Sequence, residues 1–130
     1  MTPLLQFVAW TTVLTFVAIL AGAVFRNREW TLEGMKLALG NRDNLPAASP
    51  LGDRAVRAAT NAQESFILFV PLALTAHAVG ADDAALLGAQ VFFWARVVYL
   101  PVYWAGITVV RSLIWGVGIA GLAMMLFAIV

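Results

Sequence analysis

Four long apolar runs, near 3–25, 57–79, 84–106 and 110–130, divide the chain, and a polar block separates the first from the second. Each run is about as long as the ~20 helical residues needed to cross a ~30 Å hydrocarbon core. Pro3 to Phe25 carries no charge and stops at Arg26-Asn27-Arg28-Glu29, where two guanidiniums can reach lipid headgroups. Ala21-Gly22-Ala23 has the look of a signal-peptide cleavage site. No basic residue precedes the run, however, and it exceeds a normal signal core, so a retained first helix is expected.

Residues 26–53 read as one sizeable loop. Trp30 to Leu39 has loosely helical spacing and an interfacial tryptophan, which suggests a short surface helix weakened by Gly34. Gly40-Asn41, Pro46, Pro50 and Gly52 mark turns, and Asp53 is placed to cap a second helix beginning near Arg54. The turn Gly80-Ala81-Asp82-Asp83 is acidic, whereas the turn before the last run is followed by Arg111. Six of the Lys and Arg residues lie within 26–57. The positive-inside rule therefore puts that loop and Arg111 in the cytoplasm, with both termini and Asp82-Asp83 on the other side. The expected fold is all-α: one four-helix transmembrane domain over 1–130, multi-pass in a bacterial-type inner membrane or its equivalent.

Composition removes other classes. The chain has 130 residues, 62% of them hydrophobic, with eight Lys/Arg, seven Asp/Glu and a mean hydropathy of +0.89, well outside the range of soluble domains. A net charge of +1 without a basic stripe argues against nucleic acid as a partner. Absence of cysteine excludes disulfides and a cysteine nucleophile, and a single histidine excludes a multi-histidine metal cluster, so no metal site is expected. His77 falls near Gly80, away from the basic end, and reads as structural or interfacial. No nucleophile-elbow, zincin, phosphate-loop or dinucleotide motif is present.

The chemistry concentrates in three places. Arg54, Arg57, Asn61 and Glu64 are spaced three, four and three apart, which forms one helical stripe, with Glu64 about 10 Å deeper than Arg57. Ionisable groups at such depth cost a few kcal/mol or more and turn toward a bundle interior or a wet cavity. Arg96, Tyr99 and Tyr103 share a face in the third run and offer a cation and two hydroxyl donors. Arg111, with Ser112 and Trp115 after it, opens the fourth. The same residues admit a structural reading, in which ion pairs lock the helices, the tyrosines form an interfacial belt, Arg96 snorkels and Arg111 anchors the topology. The Trp and Phe residues, Phe92-Phe93-Trp94 included, read as packing or lipid-facing groups.

The motifs Arg54-x-x-Arg57-x-x-x-Asn61-x-x-Glu64-x-Phe66, Ala95-Arg96-x-x-Tyr99-x-x-x-Tyr103 and Arg111-Ser112-Leu113-Ile114-Trp115, in that order on the second, third and fourth runs, resemble the MAPEG family, the membrane-associated proteins in eicosanoid and glutathione metabolism. The resemblance implies a homotrimer of four-helix protomers that holds glutathione, as co-substrate, between subunits near the cytoplasmic face. By similarity Arg57 binds a glutathione carboxylate, Asn61 the peptide and Glu64 the amine; Arg96, Tyr99 and Tyr103 line the site, and Arg54 supports it. Arg111 resembles the arginine that stabilises the thiolate. The implied activity is transferase or peroxidase chemistry on a lipophilic electrophile or hydroperoxide arriving through the bilayer. The first loop is longer than in the eicosanoid synthases, so Arg26 and Arg28 receive no role by this route. Two readings compete: a non-catalytic scaffold or small-ligand binder that keeps the polar pocket, and a transporter lined by the stripe. The transporter is disfavoured by the lack of broken helices.

Overall fold

The computed structural model describes residues 1–130 as five helices with no strand: α1 Pro3–Asn27, α2 Leu32–Leu39, α3 Pro50–Ala78, α4 Asp82–Trp104 and α5 Thr108–Ile129. The Thr2 hydroxyl caps α1, and Pro3 follows at a position where the missing N–H costs nothing. The helix ends where Arg28 takes a left-handed conformation and the Glu29 amide bonds back to the Val24 carbonyl at 3.1 Å.

Two expectations from the sequence are corrected. The cap of α3 is Ser49, whose hydroxyl accepts from the Gly52 amide at 3.1 Å, and not Asp53. Ser-Pro supplies an acceptor followed by a residue with no amide to satisfy, so the helix starts at Pro50 rather than near Arg54. Asp53 instead lies in the first turn, where its charge complements the helix dipole. Gly34 is also no weakness of α2. Thr31 caps that helix through the Gly34 amide, and a Cβ on Gly34 would lie 2.0 Å from the Arg28 carbonyl oxygen, so only glycine lets α2 fold against the end of α1.

The principal packing partners are α1 with α3 and α4 with α5, and α3 bridges the two pairs. The core is concentrated in the half of the bundle that holds the chain termini. There Leu4, Phe69, Phe92, Leu122 and Met125 pack with alanines of α3 and α4, and the Phe69 and Phe92 rings stack 4.7 Å apart. Gly88 and Gly121 bring α4 and α5 so close that a Cβ on either would lie 2.7 Å from the other's carbonyl oxygen. Such close backbone approach through small residues supplies the van der Waals contact that holds helices together where lipid removes a hydrophobic drive. A smaller cluster of Ala18, Ala58, Ala62 and Leu100 fills the opposite half.

Outside, Trp10, Phe16, Ile67, Leu113 and Phe127 are exposed. Helices α1, α4 and α5 are long and apolar enough to cross a membrane, which makes this an integral membrane protein. Helix α3 is not among them, because Asn61, Gln63 and Glu64 dilute its apolar run.

Candidate functional site

Helices α3, α4 and α5 converge on a polar cavity of about 230 Å³ lined by Asn61, Tyr99, Tyr103, Arg111, Ser112 and Trp115. The α4 residues Arg96, Tyr99 and Tyr103 lie three and four apart, so one face of a single helix presents them all. Arg96 is 4% exposed, and its Nη2 donates to Asn61 Oδ1 at 2.7 Å. Its guanidinium also sits 4.1 Å from the centre of the Tyr99 ring. Tyr99 and Tyr103 meet edge to face with 5.5 Å between centroids, and the Arg111 guanidinium lies 4.5 Å over the Tyr103 ring. Asn61, Arg96, the two tyrosines and Arg111 thus form one continuous ladder across three helices. Arg111 occupies the first turn of α5, where a cation opposes the helix dipole by ~0.3–1 kcal/mol. Helix stability therefore does not account for its position.

The polar stripe of α3 divides along its length. Arg54 and Asn61, seven residues apart, lean toward the other helices. Arg54 Nε donates to the Trp104 carbonyl at 2.9 Å and lies beside Gly106, so it fastens the α4–α5 turn that precedes Arg111. Arg57 and Glu64, also seven apart, are exposed on the flank and make no hydrogen bond or ion pair within the chain. The structure thus brings Asn61, Arg96, Tyr99, Tyr103 and Arg111 together, puts Arg54 behind them, and leaves Arg57 and Glu64 on the adjoining surface. Ser112 and Trp115 join the cavity wall. In the sequence they follow Arg111, but nothing there distinguishes a lining side chain from a lipid-facing one. Trp104 had no signal at all: it contributes through its backbone carbonyl.

Charge is distributed one way. All eight Lys and Arg residues lie toward the end that carries α2, and none has a carboxylate within 4.0 Å. The one ion pair of the chain, His77 Nδ1 to Asp82 Oδ2 at 3.0 Å, is at the opposite end, where Thr2 also donates to Asp82. His77 therefore stands apart from the cavity. Arg111 lines the cavity and Arg96 stands behind Asn61, both without a counter-charge in contact, an arrangement suited to an anion. A separate apolar groove of about 460 Å³, lined by Trp94, Val98, Ile114 and Val117 among others, runs along the same two helices.

A sequence model of the MAPEG family matches residues 3–130 of the chain. No curated protein matches it significantly.

Proposed function

The chain belongs to the MAPEG family of membrane proteins in eicosanoid and glutathione metabolism, and on that premise we propose that it is a membrane-bound glutathione transferase or peroxidase. The observation that carries this reading is the cavity of Asn61, Tyr99, Tyr103 and Arg111, with the Arg111 guanidinium in its wall and that of Arg96 bonded to Asn61, neither neutralised by a carboxylate. Glutathione brings two carboxylates, an amine and a thiol. Arg57 takes a carboxylate, Asn61 the peptide and Glu64 the amine, with Tyr99 and Tyr103 along the wall and Arg96 holding Asn61 in place. Arg54 acts at one remove, through the α4–α5 turn.

Arg111 acts on the sulfur. A guanidinium beside a thiol favours the thiolate, lowering a pKa that starts at about 8.5. The thiolate then attacks an apolar electrophile: a carbon–sulfur bond forms and the leaving group departs with its electron pair. With a hydroperoxide, the sulfur attacks the peroxide oxygen and the alcohol leaves. That step leaves glutathione sulfenic acid, and a second glutathione thiolate attacks its sulfur, forming the disulfide as hydroxide departs and is protonated to water. The apolar groove along α4 and α5, with Ile114 one turn beyond Arg111, offers such substrates a route from lipid.

Exposure of Arg57 and Glu64 supports a site completed by a second copy of the chain. An unpaired carboxylate facing lipid costs several kcal/mol, so a neighbouring subunit covers that flank in a homotrimer in which α3 crosses the membrane with the other three long helices. The basic loop is cytoplasmic in this arrangement, and both termini lie on the far side.

The test is turnover by reconstituted protein with glutathione and either an aryl halide or an organic hydroperoxide. Wild type is expected to consume one of them, Arg57→Ala and Glu64→Gln to lose glutathione affinity. Undiminished turnover in both variants, or none in wild type with either substrate, contradicts the proposal.

A further inference from the structure

Arg96 is a buried cation with more donors than visible partners. A guanidinium has five N–H groups, and within the chain only one Arg96 bond to a side-chain acceptor is formed, from Nη2 to Asn61 Oδ1. Burying a charge without satisfying its donors costs several kcal/mol, so the remaining N–H groups need acceptors.

Arg96 also borders a narrow internal cavity of about 10 Å³ whose polar lining is Thr11, Thr15, Ser65 and Arg96 itself. Those are four of the five buried polar residues in the whole chain. They come from three different helices, α1, α3 and α4, and otherwise sit among Leu14, Ala62, Phe92 and Leu100. The hydroxyls share one property. Thr11 donates to the Phe7 carbonyl at 2.6 Å, Thr15 to the Thr11 carbonyl at 2.8 Å and Ser65 to the Ala62 carbonyl at 3.1 Å. Each hydroxyl proton is committed to its own helix, which leaves the oxygen lone pairs as acceptors. None of the three reaches Arg96 directly. A volume of ~10–15 Å³ with two to four polar partners is what one ordered water requires.

We propose that this cavity is a single-water site, and that Thr15 and Ser65 are positioning residues that act through that water on Arg96, and through Arg96 on Asn61. The water accepts from the guanidinium and donates to hydroxyl oxygens whose own protons are engaged elsewhere. The arrangement satisfies the buried cation without a carboxylate, so its charge stays available on the cavity side. The functional part of the inference rests on the glutathione reading above; the water site does not.

The experiment combines an experimental structure at a resolution that shows ordered waters with glutathione titrations of wild type, Thr15→Val, Thr15→Ser and Ser65→Ala. One water within hydrogen-bond distance of the Arg96 guanidinium and of Thr15 or Ser65 is expected. Thr15→Val should weaken glutathione binding about fivefold with an unchanged melting temperature, Ser65→Ala should do the same to a smaller degree, and Thr15→Ser should restore wild-type affinity. A dry cavity overturns the inference. So does wild-type affinity in both Thr15→Val and Ser65→Ala. If the water is present and wild type binds no glutathione, the water site stands and the glutathione reading falls. Should Thr15→Val fail to fold, Ser65→Ala carries the comparison.

Discussion

The two ends of this helical bundle are built on opposite principles. At the end that holds the termini, Phe69 stacks on Phe92, Leu4 and Met125 are fully buried, Gly88 and Gly121 allow backbone contact, and the one ion pair joins His77 to Asp82. At the α2 end the core thins to three alanines and Leu100, while eight cations gather without carboxylate partners. Packing at the first end secures the fold, which lets the second keep a buried guanidinium and a polar cavity. A bundle uniformly satisfied at both ends would have no reason to hold an anion.

That contrast can be broken from either side, and the largest effect is expected at the packed end. Phe69→Ala removes a fully buried stacked ring and should cost about 3–5 kcal/mol of stability, read as a lower melting temperature in detergent, while the folded fraction keeps its glutathione affinity. Lost affinity in the folded fraction would mean that the ends are not separable. Next is Arg111→Ala, which should reduce turnover by about 10²–10³-fold through loss of a charge aimed at the reacting sulfur, with little change in melting. Arg57→Ala follows, with glutathione affinity down about 10-fold or more as one charge-assisted bond disappears. The smallest is His77→Ala, where glutathione affinity should stay within about twofold, because an exposed pair contributes little and lies at the far end. A large loss of binding in that variant would erase the distinction.

Much of this division was legible in the residues themselves. Charge-free Pro3–Phe25 declared a helix through length and hydropathy, and the i, i+3, i+7 spacing of Arg96, Tyr99 and Tyr103 declared a common face. Spacing could not show how a stripe divides. Arg54 and Asn61 turn inward and Arg57 and Glu64 outward because α4 and the α4–α5 turn pack against one edge of α3 only, and that is a tertiary fact. The Ser49 cap was hidden for a different reason, since Ser49-Pro50 and Asp53 are both chemically sound starts and only packing of α3 beside the end of α1 selects between them. Thr11, Thr15 and Ser65 left no trace at all: a hydroxyl that bonds to its own helix barely alters an apolar pattern.

The central claim is that the basic end binds glutathione and holds its sulfur as a thiolate through Arg111. Titration calorimetry of glutathione into detergent-purified protein, with ultraviolet thiolate absorbance recorded in parallel for wild type and Arg111→Ala, tests it most directly. The account predicts saturable binding to both proteins and a thiolate signal in wild type that the variant lacks. No binding to folded wild type at millimolar glutathione, or an equal thiolate signal in the two proteins, would contradict it.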